Sequence, residues 1–263
     1  MGVIDGKNAA VGSESTVWGW KITHSGNLVP IVASNTSGGA LRDAGNKDWV
    51  GYYDLFNHTP ANFPGDSVAG TFSLDGTHGY TGTARIAKIE WEWDLEQGGY
   101  IQSRVSFGAN GTLTSGAAAA SDDTVPAIYP VQGLMVKLHG VQQGHCHYMR
   151  LIIERNCRRY CDAEADGQFL RTEGDRIDAI AMWGVYEDNP AAHPVVGNLA
   201  VVAMYVDDTT YWELTWMRIE QVEQVLDREN KRPVGAVVTA SFTAHNGTSV
   251  GTIKNPAGAT KWP

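Results

Sequence analysis

Two passages of this chain, about half its length apart, carry the same landmarks in the same order. Trp49-Val50-Gly51-Tyr52-Tyr53-Asp54 is followed by Asn57, Pro60 and then Pro64-Gly65-Asp66. Trp183-Gly184-Val185-Tyr186-Glu187-Asp188 is followed by Asn189, Pro190, Pro194 and Gly197-Asn198. The two tryptophans stand 134 residues apart. Each passage also closes alike, on Phe107 with Asn110-Gly111-Thr112 and on Phe242 with Asn246-Gly247-Thr248, offsets of 135 and 136 residues. Between the landmarks each half has a Trp-containing segment of strand character, residues 88–95 and 211–219. A recurring offset constrains the fold more than any single motif, because it dictates both copies at once. It predicts a first domain over 1–116, a linker over 117–126 and a second domain over 127–263. The other explanation is one large sandwich whose turns share Asn-Gly and Pro-Gly chemistry.

Local patterns point to strands. From Ile86 to Leu95 apolar and polar residues alternate almost without a break, which is the period of a half-buried strand. Ile89, Trp91, Trp93 and Leu95 would face a core, and Glu90, Glu92, Asp94 and Glu96 would face water or a lumen. Ile101, Ser103, Val105 and Phe107 follow a Gln97-Gly98-Gly99 turn, as in a hairpin. Residues 199–206 form a more continuous apolar run, expected of a strand covered on both faces. Residues 220–230 fit a helix by spacing and a strand by the repeat, and residues 149–159 are equally open. Residues 1–16, 33–47 and 254–263 read as irregular. Thirty glycines and ten prolines agree with a chain that turns often. The expected class is therefore mainly β, with two tandem β-sandwich or half-barrel domains, long loops and at most one or two short helices.

Charge and cysteine content narrow the function. The net charge of −9 leaves no excess of cations to grip nucleic acid phosphates. No run approaches the roughly 20 apolar residues of a membrane helix. The first residues lack the basic and apolar regions of a signal peptide, so a soluble protein is expected. Three cysteines in one stretch fit a reducing compartment better than a disulfide framework.

No catalytic constellation emerges. His145, Cys146, His147, Cys157 and Cys161 are zinc-ligand types, but the C-x3-C spacing and the crowding by Arg155, Arg158 and Arg159 argue against a metal. Residues 150–176 hold six arginines and six acids, a balanced segment rather than a phosphate-binding patch. Acids two apart on one strand form a solvated row more readily than a glycosidase pair. Exposed tryptophans would instead suit a carbohydrate-binding module. No H-E-x-x-H, G-x-S-x-G, P-loop or G-x-G-x-x-G is present. Asn110-Gly111, Asn246-Gly247 and Asp75-Gly76 read as hairpin turns. Neither an enzyme nor a cofactor is expected.

The run Gly45-Asn46-Lys47-Asp48-Trp49-Val50-Gly51-Tyr52-Tyr53, then His58-Thr59-Pro60, Pro64-Gly65-Asp66 and Ser73-Leu74-Asp75-Gly76, resembles the tail tube proteins of long-tailed bacteriophages. Gly82, the alternating strand, the Glu96-Gln97-Gly98-Gly99 turn and residues 105–114 continue the likeness, which spans roughly residues 42–114. The second half shares it only through the repeat, lacks the Asn-Lys-Asp lead-in and adds the Cys/His/Arg insertion. The resemblance implies a structural virion protein, assembled in the host bacterial cytoplasm, whose β units ring a DNA-conducting channel. Six units per ring and two per chain imply homotrimeric, pseudo-hexameric rings that stack. The implied partners are other copies and other tail proteins, with DNA passing unbound and no membrane involved. A capsid-decorating protein or another tail-ring protein is the alternative within a virion.

On this reading Glu90, Glu92, Asp94 and Glu96 are candidates to line the lumen. Ser34, Asn35, Ser37, Arg42, Asp43, Arg155, Arg158 and Arg159 are candidates for ring-to-ring contacts. Residues 1–16 are expected to form an arm. Trp49, Pro64, Gly65, Asp66, Asn110, Gly111, Trp183, Asn246 and Gly247 are the structural landmarks.

Overall fold

A computed structural model describes residues 2–6, 8–31, 41–55, 60–94, 102–118, 134–161, 167–186, 194–207, 209–225, 235–243, 251–255 and 260–262. Every regular element among them is a strand. In chain order these are β1 (Gly2–Gly6), β2 (Asn8–Val11), β3 (Glu14–Ile31), β4 (Leu41–Leu55), β5 (Ser67–Ser73), β6 (His78–Asp94), β7 (Gln102–Ala117), β8 (Met135–Leu138) and β9 (Val141–Gln142). The second half continues with β10 (His145–Arg155), β11 (Arg158–Tyr160), β12 (Leu170–Thr172), β13 (Ile177–Tyr186), β14 (Leu199–Tyr205), β15 (Tyr211–Val225), β16 (Gly235–Phe242), β17 (Ile253–Lys254) and β18 (Thr260–Trp262).

The mainly β expectation stands, and the described parts of the open helix-or-strand segments contain no helix: β10 runs to Arg155, β11 follows at Arg158, and β15 runs to Val225, with residues 226–230 outside the described residues. Several irregular stretches are corrected. Residues 2–6 and 8–11 are strands, residues 41–47 belong to β4, and the end of the chain contributes β17 and β18. Backbone pairing explains these differences, because β-structure satisfies peptide groups through partners distant in sequence that a local pattern does not reveal. Asn110-Gly111 is not a hairpin turn. It lies inside β7, where the register slips between the Gly82↔Leu113 and Ala84↔Ala109 pairs. That is a bulge, and Gly111 takes a φ of 134° there.

Sixteen of the strands form one antiparallel sheet whose ladder order repeats, and β11 and β12 pair with each other as a second, two-stranded sheet. In the first half the order is β2-β3-β4-β7-β6-β5, and β5 pairs with both β6 and β2, so the ladder closes on itself. In the second half the order is β8-β14-β15-β16-β13-β10. Read from β3 and from β10, the two sequences of neighbours match strand for strand. The turns match as well. Gly65 donates to the Ile86 carbonyl and Ile86 to that of Asp66, while Gly197 donates to Ile219 and Ile219 to Asn198. Both glycines need positive φ, 105° and 89°, for this tight reversal. The turns into β6 and β15 are each held by an aspartate. Asp75 Oδ1 accepts from the Thr77 and His78 amides, and Asp207 Oδ1 from the Thr209 and Thr210 amides.

Apolar alternation places the core. In the first half Trp20, Trp49, Tyr53, Phe72 and Phe107 are fully or nearly fully buried, with neighbouring ring centroids 5.4–6.3 Å apart. Met149, Leu151, Trp183, Met204, Trp212, Leu214 and Ala240 continue the same buried cluster through the second half. Ile89, Trp91 and Trp93 point inward, as the alternation requires.

Candidate assembly interface

The two halves are joined edge to edge. Beyond Ile86, β6 leaves β5 and pairs with β10, from Lys88↔Glu154 to Asp94↔Tyr148. Trp91 and Trp93 anchor this joint from the buried side, where a large aromatic contributes about 3–5 kcal/mol relative to alanine. On the other face the charges interlock. Glu90 accepts from Arg150 and pairs with Lys88 at 2.8 Å, while Glu92 accepts from Tyr148 at 3.3 Å and lies 3.8 Å from Arg150. Partial burial opposes the charge on Glu90, but the hydrogen bonds from Lys88 and Arg150 outweigh it and hold the carboxyl below its usual range.

The polar face extends across neighbouring strands. Arg104 binds Asp54 through two hydrogen bonds of 2.7 and 2.9 Å and lies over the Tyr52 ring. Asp54, Glu90, Glu92, Gln102 and Arg104 border an open depression of about 310 Å³. The face therefore carries paired acids and bases rather than a bare acidic row. Asp94 is half-buried on the same side, and Glu96 lies outside the described residues.

A clamp from the second half holds the first. The hairpin β11–β12, inserted between β10 and β13, lies against β4 and β7. Lys47 donates to the Gly167 carbonyl at 2.7 Å, and Phe169 donates back to Lys47 at 3.0 Å. Arg171 binds both oxygens of Asp48 at 2.9 Å and the Ala109 carbonyl at 2.9 Å. Both side chains are nearly buried, at 11% and 9% exposure, so neither charge has water as a substitute partner. Gly108 makes room for this arginine, since a Cβ there would lie 2.4 Å from Arg171 Nε.

The candidates for ring-to-ring contact fall in different places. Arg155 donates to the Gly174 carbonyl at 2.7 Å and pairs with Glu173. Arg159 pairs with Asp48 at 3.2 Å and stacks on Phe169, while Arg158 is exposed. Arg42 and Asp43 sit in β4 opposite Pro30 and Val29. Ser34, Asn35 and Ser37 lie outside the described residues. Among the landmarks, Trp49 and Trp183 are buried, and Trp49 Nε1 donates to Gly111 at 2.9 Å. Pro64 is buried, Gly65 forms the turn described above, and Asp66 accepts from the Phe63 amide. Asn110 accepts from the Arg171 amide and donates to Ser67. Asn246 and Gly247 lie outside the described residues.

Sequence reasoning missed Asp48, Arg104, Arg150 and Arg171. The signal for the turns was legible: Asp-x-Thr recurs at 75–77 and 207–209, an offset of 132 residues. Cys146 is buried, and burial pushes its thiol up to about 12, so it is not a reactive nucleophile. Among the described residues no three His, Cys, Asp or Glu side chains converge as a metal site. Of the tryptophans, Trp20, Trp49, Trp91, Trp93, Trp183 and Trp212 are buried and unavailable for sugar stacking, while Trp18 is exposed. The chain matches no protein-family model and no curated protein sequence.

Proposed function

We propose that this chain is a structural ring-forming protein, a tail-tube-like virion subunit built from two copies of one β unit. The observation that carries the reading is the β6–β10 joint. One chain holds two units with the same strand order, linked by the edge of the first to the edge of the second. The corresponding edges at the two ends of the chain are β15 beyond Ile219 and β3. A head-to-tail interface of this kind is heterologous and closes into a ring when the rotation per unit divides a full turn. The resemblance to tail tube proteins sets six units, hence three chains, per ring. Self-association through strand edges also buries hydrogen-bonding groups that would otherwise invite uncontrolled pairing.

The paired charges on the exposed face suit a channel through which DNA slides. A bound phosphate releases counterions only where a free cation replaces them, and Lys88, Arg104 and Arg150 are each held by an acid. DNA and other tail proteins are thus partners of the assembly rather than ligands of a pocket, and the assembly belongs to the virion tail. Negative-stain electron microscopy with light scattering across a concentration series tests the reading. Rings of three chains or hollow tubes are expected, and a monomer at all concentrations would overturn it.

A further inference from the structure

We propose that β1 is a guard strand, which occupies on β3 the place that β6 occupies on β10 and yields it to β15 of a second copy of this chain. The inference rests on the ring reading above. It starts from the matching of the two ladders. β6 and β7 shift register between Ile86 and Lys88, and β15 and β16 shift between Ile219 and Gln221. β3 shifts against β4 between Val17 and Gly19, and β10 against β13 between Cys146 and Tyr148. Superposing these slips sets Trp20, opposite Tyr53, on Met149, opposite Trp183. The seven residues of β10 that receive β6, 148–154, then correspond to residues 19–25 of β3. β1 pairs antiparallel with residues 20–24, the centre of that same stretch.

The mimicry extends to register. Ile4 stands opposite Ile22 where Trp91 stands opposite Leu151, and Asp5 stands opposite Lys21 where Glu92 stands opposite Arg150. β1 nevertheless makes a weaker partner than β6. It has five residues with a glycine at each end, and among the described strands it pairs with β3 alone. Glycine is a poor strand former, so its own propensity does little to oppose release. The incoming strand is also defined. Past Ile219, where Gly197 and Asn198 end the β14 side, no described strand pairs with that edge of β15, and Glu220, Gln221 and Glu223 are exposed. A protein that must polymerise only on cue needs its receiving edge covered, and a short internal strand does this without closing the edge permanently.

The test compares the full chain with a variant lacking residues 2–6, by light scattering over a concentration series. The deletion is expected to lower the midpoint of self-association at least about tenfold. Val3→Cys with Thr23→Cys, in a Cys161→Ser background, supplies the converse. The oxidised pair should stay monomeric and the reduced pair should associate. Equal midpoints for the deletion and the full chain, both forming rings, would overturn the guard and leave the ring reading intact. A deletion variant with native near-ultraviolet circular dichroism that stays monomeric at every concentration would overturn both. Oxidised and reduced pairs that associate alike would also overturn the guard.

Discussion

β10 and β3 present matching edges, yet they are filled in opposite ways. The β10 edge takes seven residues of β6, two buried tryptophans, an interlocked charge cluster and the Asp48–Arg171 clamp. The β3 edge takes five residues of β1, which pair with no other described strand. The first joint is built as a permanent part of the fold. What is described of the second is its ladder with β3, and a ladder is what another strand can replace. On the proposed reading, a joint inside the chain and a joint between chains share geometry and differ in what surrounds them.

The largest way to break this comparison is to remove the clamp. Asp48→Ala strands Arg171 with little water, a loss of about 3–5 kcal/mol for a buried ion pair. Urea unfolding should show that cost, and limited proteolysis should open residues 156–176. A loss below about 1 kcal/mol would mean that the clamp does not secure the joint. Gly108→Ala presses on the same arginine from β7 and is expected to cost about 1–3 kcal/mol.

Arg150→Met tests the charged face at smaller scale. The side chain is 32% exposed, so screening limits the loss to about 1 kcal/mol. Its pH dependence has a defined sign. The Glu90 carboxyl is held below its usual range, so its contribution is present above that range and fades as pH falls. Urea midpoints measured from pH 7 down to pH 3 should fall less steeply in Arg150→Met than in the parent. Smaller again is Asp207→Ala, with a loss of under about 1 kcal/mol. Burial opposes the Asp207 charge, but hydrogen bonds from Thr209 and Thr210 dominate and lower its carboxyl to about 2. That contribution should vanish between about pH 4 and pH 2, and its persistence at pH 2 would refute the assignment.

The strands with clean alternation were legible in the sequence, and residues 86–94 show why. Every second side chain there meets a core or water, so a period of two survives in the residue types. The matching of turns between the two halves was legible through residues that such turns require, Gly65 and Gly197 above all. The register between the halves was not. The ladders place Trp183 in the position of Tyr53 rather than of Trp49, because an aromatic residue fills either site and identity does not mark the row. β1 left no local trace, since five residues with two glycines form a strand only through the edge of β3. The Asp48–Arg171 pair joins residues 123 positions apart, and pairing of that kind is written in the fold rather than in any window of sequence. The second half also divides among several described strands what the first holds in one. β9 and β10 stand in for β3, and β16 and β17 for β7, with Thr243 and Thr252 bonded to Trp216 and Thr215 across the second gap.

On the proposed reading, the joint inside the chain is the template for the joint between chains. Transferring the Lys88↔Glu154 register to the chain ends places Gln221 of one copy opposite Ser25 of the next. Gln221→Cys with Ser25→Cys, in a Cys161→Ser background, should therefore oxidise to covalent species of two and three chains, ending at three. Non-reducing electrophoresis of the assembled protein reads this directly. Monomers alone under oxidising conditions, from a sample that still forms rings, would contradict the account.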